Sequence, residues 1–475
     1  LPDSYDEVKY PSYAVQESHP ALVSALARIA GLEMPPVKGW RVLEIGCGTG
    51  ANILPLAFDY PVGSFIGVDR ALDPIRAGQA LASRLQLKNI ELRAADLRDW
   101  EPEGEFDYVI AHGVFSWVPP DLREKILQIC SSTLKAHGIA FISYNTYPGC
   151  YLRRYAGDFL RFHTRDTENA SVRMEKARDL ARLILDKPEG ADPLQRALRR
   201  EMETILEKDP SVLYHDDLSG INEPFYLLDF VALAGRHGLQ YLGDAEPQRD
   251  AVGDLPLQSK EWIESCQYGD FLAGRRFRET LLCRRSIALD RRLSLDRFRD
   301  LFAASRAKPS EPGKDGEQQF ELPRARSIAT NNPFIRQTLC RLASLWPESI
   351  RVSELAFEGF TEEETAETLM QLTRIDAIEL RTHPPAIASR IEDRPRASAL
   401  ARAQVAEGGR RITNQRHGTV EIGDDIGFRV LSLLDGNRDR QQLVENLAAV
   451  GLDRNAVVRN LESGLAALHR LCLLT

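Results

Sequence analysis

Three carboxylates and a run of glycines form the sharpest chemical pattern in the chain. Glu44 stands two residues before Gly46-Cys47-Gly48-Thr49-Gly50, Asp69 closes Phe65-Ile-Gly-Val-Asp69, and Asp96 closes Leu92-Arg-Ala-Ala-Asp96. An apolar strand that breaks into a glycine turn and a helix N-terminus lets a ligand approach bare backbone. Gly46-x-Gly48-x-x-Ala51 alone fits a dinucleotide as well as any other nucleoside ligand. Asp69, about 20 residues on, is spaced to take both ribose hydroxyls in either reading. Glu44 separates the two. It falls where a pyrophosphate would lie, and like charge opposes that ligand while favouring an ammonium. S-adenosylmethionine has a ribose, an adenine, no phosphate and a cationic amino-acid tail, and Asp96 supplies an acceptor for the adenine amino group. The plainer alternative is that Glu44 and Asp96 are surface acids at strand ends. Cys47, Asn52, Arg70, Leu97, His112 and Tyr13 complete the candidate cofactor-binding set with the acids and Gly46, Gly48 and Gly50.

Methyl transfer from a sulfonium needs a nucleophile held about 3 Å from the methyl carbon and in line with sulfur. An amine acceptor must be bound neutral, and aromatic faces and carbonyl oxygens disperse the charge that then forms on nitrogen. His112, Phe115, Trp117, Tyr144, Asn145 and Tyr147 fall at the ends of the fourth and fifth strand-like runs and make an amine-compatible wall. Of these, Asn145, Tyr144, His112, Trp117 and Tyr147 are the candidate catalytic residues. His112 is equally a core histidine bonding backbone, Trp117 a loop-packing residue, and Tyr13 with His19 a docked arm rather than a lid. Glu223 reads first as a cap for a helix begun at Pro224, and Arg275-Arg276-Phe277-Arg278 as a solvated strand edge. The fourth strand lacks the Asp/Asn-Pro-Pro-Tyr/Phe turn that holds planar amines, and no His/Cys/Asp cluster suggests a metal.

The elements that must position these residues alternate from 40 to 142. Strand-like runs at 41–45, 64–68, 90–94, 106–111 and 138–144 are separated by helical stretches at 51–58, 74–87 and 121–136, the pattern of a parallel sheet covered on both faces. Residues 151–222 read as a helical insertion serving as lid or dimerisation surface, and 223–288 as two further strands completing the sheet. Residues 1–39 read as an N-terminal arm carrying tyrosines 5, 10 and 13, with Pro35 and Pro36 before the first strand. Residues 289–400 read as a middle module containing a linker at 308–319, and 401–475 as a helix-rich module of winged-helix type. The 475 residues are 43% apolar and 27% charged with a net charge of -8, ordinary for a globular protein and adverse to nucleic acid as the main partner. No run is long enough to span a membrane, and the start is polar rather than signal-like. The seven cysteines are scattered without a CxxC pair, so the expected location is cytoplasmic.

Val42-Leu-Glu-Ile-Gly-Cys-Gly-Thr-Gly50, Gly67-Val-Asp69 and Ala95-Asp96 resemble the motifs of class I, seven-stranded methyltransferases. Ala111-His-Gly-Val-Phe-Ser-Trp-Val-Pro119 and Ser143-Tyr-Asn-Thr-Tyr-Pro-Gly149 resemble hallmark segments of a bacterial family with a methyltransferase regulatory domain. Asn222-Glu-Pro-Phe-Tyr226, Gly238-Leu-Gln-Tyr-Leu242 and Phe277-Arg-Glu-Thr-Leu-Leu-Cys283 are similar to that regulatory region, and Cys150 departs from it where tryptophan is expected. The resemblance implies a Rossmann-like α/β core, S-adenosylmethionine as cofactor, a homodimer, and action on lysines of outer-membrane proteins. A small molecule or biosynthetic peptide as acceptor, and a non-catalytic sensor of the cofactor, are the alternative functions.

Overall fold

The computed structural model describes residues 7–34, 39–190, 192–245, 262–313, 316–355 and 359–475; Tyr5, Pro35 and Pro36 lie outside them. Its centre is a seven-stranded sheet in the order β3-β2-β1-β4-β5-β7-β6. The strands are β1 (Arg41–Ile45), β2 (Ser64–Asp69), β3 (Ile90–Ala94), β4 (Phe106–Ala111), β5 (Leu134–Asn145), β6 (Leu239–Asp244) and β7 (Phe277–Arg284). β1 to β5 pair in parallel, while β7 runs antiparallel to both β5 and β6. This is the expected Rossmann-like sheet. The strand order reverses between β1 and β4, which opens a crevice at their carboxyl ends.

Burial on both faces explains why the strands read as continuous apolar runs rather than alternating ones. Val42, Phe65, Tyr108, Ile110 and Phe141 pack on one face against Val23 and Ala27 of the Pro20–Ile29 helix and against Leu54 and Leu56. Leu43, Val68, Val109, Ile142 and Tyr144 pack on the other against Ile126, Ile129 and Phe230. Pro20 occupies the first turn of its helix, where no N–H is needed, and His19 Nδ1 accepts from Ala21 N–H at 3.1 Å.

Helices Cys150–Thr164, Ala170–Leu185 and Pro193–Glu207 form a separate cluster around Leu160, Leu180, Met202 and Leu213. The middle and C-terminal modules have cores of their own, centred on Phe298, Leu339 and Leu369 and on Leu431, Leu447 and Leu465. In the C-terminal module, Asp424, Asp439 and Asp453 cap helices Asp425–Leu433, Arg440–Ala449 and Arg454–Arg470. No helix among the described residues is long and apolar enough to cross a membrane.

Three expectations fail on inspection. The 308–319 stretch is not a plain linker: Lys308–Pro309 and Gln318–Leu322 pair antiparallel, and Arg326–Thr330 adds a third strand. Glu223 caps nothing, because the helix begins at Leu227; its carboxylate lies 3.7 Å from Arg154 instead. The basic run is not a solvated edge. Arg278 is buried, donating to Asp270 at 2.9 and 2.8 Å and pairing with Asp244, so its cost of desolvation is met by two carboxylates.

Candidate active site

The crevice at the strand reversal is a cavity of about 1140 Å³. It is lined by Glu44, Gly46, Cys47, Gly48, Asn52, Asp69, Arg70, Asp96, Leu97, His112 and Tyr13, so the described structure brings together nearly all of the expected cofactor set. Gly50 is the exception. It has φ +73°, and a Cβ there would press on Leu92 and Leu54, so it shapes the turn from below rather than facing the cavity.

The turn is held by its acids. Gly46 and Cys47 donate their N–H groups to Val68 O, Gly48 N–H donates to Asp69 Oδ2 at 2.9 Å, and Ala71 N–H donates to Asp69 Oδ1 at 2.8 Å. Gly46 has φ +71°, and a Cβ there would fall 2.2 Å from a Val114 methyl, so only glycine fits. Glu44 is buried, and its Oε1 accepts from Asn52 Nδ2–H at 2.8 Å, while its Oε2 is buried with no partner. Burial pushes its carboxyl up to about 8 against the pull of Asn52. An orphaned carboxylate oxygen beside the cavity asks for a cationic donor. Asp96 Oδ1 accepts from Arg98 N–H at 3.0 Å, leaving the acid at the cavity wall beside Leu97. Burial, then Glu44 and Asp69, hold the Cys47 thiol well above its usual range, so it is protonated and unreactive. The residues fit S-adenosylmethionine: a buried carboxylate with one unpartnered oxygen for the ammonium, and a second carboxylate at the end of β2 for the ribose.

Beyond the turn the cavity continues along Trp117, His112, Asn145 and Phe277 to Tyr10, Arg153, Asp216 and Ile221. Asn145 is buried. Its Nδ2 donates to Asn222 Oδ1 at 2.8 Å and its backbone N–H to Ser116 Oγ at 2.9 Å. His112 lies 3.8 Å from the Glu279 carboxylate, yet burial pushes it down to about 4. It is therefore neutral near pH 7 and a weak base. Arg153 and the Tyr10 hydroxyl hold Asp216 at 2.9 and 3.2 Å, while burial pushes that carboxyl up. Tyr13, from the arm, also lines the cavity. Burial raises its phenol, and the charges of Asp216 and then Glu279 add to the effect.

Two expected catalytic residues stand elsewhere. Tyr144 points to the opposite face of the sheet, stacked on Phe230 with ring centroids 4.1 Å apart and its hydroxyl 3.1 Å from Thr280 Oγ1. Successive residues of a strand face opposite ways, and with Asn145 in the cavity Tyr144 is necessarily behind it. Tyr147 lies past the strand end, stacked on Tyr151 at 4.3 Å and receiving a hydrogen bond from Arg154. Tyr10, Arg153, Asp216 and Phe277 also line the cavity, and no sequence pattern points to them. Tyr10 and Phe277 carried only their aromatic character, and nothing local pairs Arg153 with Asp216, 63 positions apart.

Comparison with known proteins agrees with this geometry. Residues 42–138 match the methyltransferase domain family, 209–284 a predicted methyltransferase regulatory domain, and 393–465 the PKMT C-terminal winged helix domain. The structure of PKMT2 from Rickettsia typhi in complex with AdoHcy superposes with a TM-score of 0.85 at 26% identity, covering 98% of this chain and 99% of that one. Two uncharacterized Rickettsia prowazekii proteins are similar in sequence. RP789 is 28% identical over 98% of this chain and 87% of its own length, and RP028 is 33% identical over 50% of this chain and 96% of its own. The chain belongs to the family of these proteins and is a class I S-adenosylmethionine-dependent methyltransferase with a regulatory domain and a C-terminal winged helix.

Proposed function

We propose that the chain N-methylates lysine side chains of a protein. The observation that carries this reading is the cavity beyond the glycine turn, where a half-buried carboxylate, Asp216, and the rings of Tyr10, Tyr13, Trp117 and Phe277 line the same space. A lysine ammonium is drawn toward such a carboxylate and packs against aromatic faces. Burial of the chain then favours the neutral amine, whose lone pair the reaction needs. The bound cofactor supplies an electrophilic methyl on a positive sulfur. Asn145, its amide oriented by Asn222, offers its oxygen to the amine hydrogens. His112, being neutral, serves as a hydrogen-bonding group rather than as the proton acceptor, and the lysine gives up its proton to water before the neutral amine reaches the methyl. Similarity to the PKMT proteins supports a protein acceptor. The exposed Phe162, Leu183 and Leu194 of the helical insertion support a homodimer, and the absence of a membrane-spanning helix among the described residues is compatible with action in the cytoplasm.

The deciding experiment supplies labelled cofactor and a bacterial lysate, then hydrolyses the protein fraction and resolves methylated amino acids. Label in methyl-lysines supports the reading. Label confined to small metabolites or peptides overturns it in favour of a small-molecule acceptor, and tight cofactor binding with no transfer to any fraction favours a sensor.

A further inference from the structure

The cofactor carboxylate is not held by the methyltransferase core alone. Asn52, which orients Glu44, is itself gripped from the other end of the chain: His417 Nε2 lies 2.9 Å from Asn52 Oδ1, across 365 positions. His417 sits in the turn between strands Arg411–Thr413 and Thr419–Glu421, the hairpin of the C-terminal module, with φ +62°. The direction of this bond follows from its neighbours. Asn52 Nδ2 must face the Glu44 carboxylate, so Oδ1 is the acceptor, and it also receives Val15 N–H at 2.8 Å. The imidazole therefore donates from Nε2, which leaves Nδ1 as the bare nitrogen, and Nδ1 indeed is buried without a partner.

The hairpin has other holds on the site. Thr419 Oγ1 donates to Ala14 O at 3.2 Å, next to Tyr13 in the arm over the cavity. Arg416 is buried, donating to Glu379 Oε1 and Pro347 O at 2.7 Å each and lying over the Trp346 ring at 4.6 Å. The middle module thus anchors the hairpin rigidly, and the hairpin tip reaches the back of the glycine turn.

We infer that His417 is a positioning residue for the cofactor, and that the C-terminal module completes the cofactor site through the chain His417–Asn52–Glu44. The hairpin clamps Asn52 and the 14–18 arm segment in one place. Without that clamp Asn52 Oδ1 loses one of its donors and keeps Val15 N–H at 2.8 Å and the Ser18 hydroxyl at 3.2 Å, so Glu44 and the arm are held less tightly. The inference rests on the reading of Glu44 as the cofactor's carboxylate. Coupling of this kind is reciprocal, so cofactor binding must in turn steady the hairpin.

The test compares His417→Gln with His417→Asn in S-adenosylhomocysteine binding by calorimetry. A glutamine amide nitrogen takes the place of Nε2, whereas an asparagine amide stops short of it. We expect roughly tenfold weaker binding for Asn and near-native binding for Gln, with equal melting temperatures for the two apo proteins. Native affinity in the Asn variant, or equal loss in both, overturns the inference. A second measurement needs no variant: hydrogen exchange on the full wild-type chain must slow at 411–421 as well as at 44–52 when S-adenosylhomocysteine binds, and protection confined to 44–52 overturns it. Glu44→Gln separates the two readings. If it binds like wild type, the Glu44 assignment and the clamp both fall; if it is weakened while the His417 variants are silent, only the clamp falls.

Discussion

The two ends of the cavity are built on different principles. At the cofactor end, Glu44, the glycine turn and Asp69 fall within one stretch of β1, helix and β2, and each acid sits at a strand's carboxyl end. At the acceptor end, Tyr10 and Tyr13 come from the arm, Asp216 from the last turn of the helical insertion, Asn145 from β5 and Phe277 from β7. One end is drawn mainly from neighbouring strand ends, with His417 reaching it from the C-terminal module, and repeats a geometry that any parallel sheet offers. The other is assembled from segments far apart in the chain, so it changes when any one of them changes. Such a division suits an enzyme whose donor is constant and whose acceptor is peculiar to it.

The largest effect that tests this contrast belongs to the donor end. Glu44→Ala removes the buried carboxylate, and S-adenosylmethionine affinity should fall roughly 100-fold or more, the cost of leaving a buried ammonium unpaired. Calorimetry reads it, and an unchanged circular dichroism spectrum shows that the fold survives. Retained affinity would mean that the donor end is assigned wrongly. At the acceptor end Asn145→Ala should do the reverse, keeping cofactor affinity while turnover falls by roughly 100-fold, the usual loss when one aligned polar group at a reacting centre is removed. If both quantities fall together, Asn145 is part of the scaffold and the division into two ends is too sharp.

A smaller effect comes from pH. The Glu44 carboxyl is raised to about 8 in the folded protein by burial, so in the empty site it is protonated near pH 7. Binding a cation favours the carboxylate, which requires a proton to leave. Affinity should therefore rise up to about fiftyfold from pH 6 to 8, with proton release detected as a dependence of the calorimetric heat on buffer. In the empty protein the folded state holds a proton that the unfolded state has lost above its ordinary value near 4.5. Stability due to this group must then fall as pH rises through that window toward 8. The product analogue should flatten that slope, and Glu44→Gln should abolish both effects.

The same division explains what was legible beforehand. The sheet was readable because β1 to β5 are apolar runs punctuated by glycine and acid, and the donor residues because turn chemistry is local. Gly50 misled only in role: it obeys the pattern but serves Leu54 and Leu92 packing. The Asp216–Arg153 pair, and the reach of His417 to Asn52, are properties of tertiary packing across 63 and 365 positions, and no spacing rule reports them. The burial of Arg278 escapes the sequence for the same reason. Its partners Asp270 and Asp244 come from a helix and a strand that only the folded sheet brings together.

The smallest predicted effect is also the most selective, because it concerns two adjacent residues. Tyr144 and Asn145 share the end of β5 and face opposite sides of the sheet. The sequence makes both candidate catalytic residues at a strand end and favours Asn145 for function. In the structure, burial pushes the Tyr144 phenol far above its usual range, so it cannot act as a phenolate. Its hydroxyl lies 3.1 Å from Thr280 Oγ1, which keeps Asp244 as a second partner at 2.9 Å. Tyr144→Phe keeps the ring stacked on Phe230 and removes one buried hydrogen bond, a loss of about 1 kcal/mol. The melting temperature should drop by a few degrees at most, while kcat and KM stay within about twofold of wild type. A 100-fold loss of turnover in this variant would place the reaction on the other face of the sheet, and the acceptor end would have to be rebuilt around Phe230.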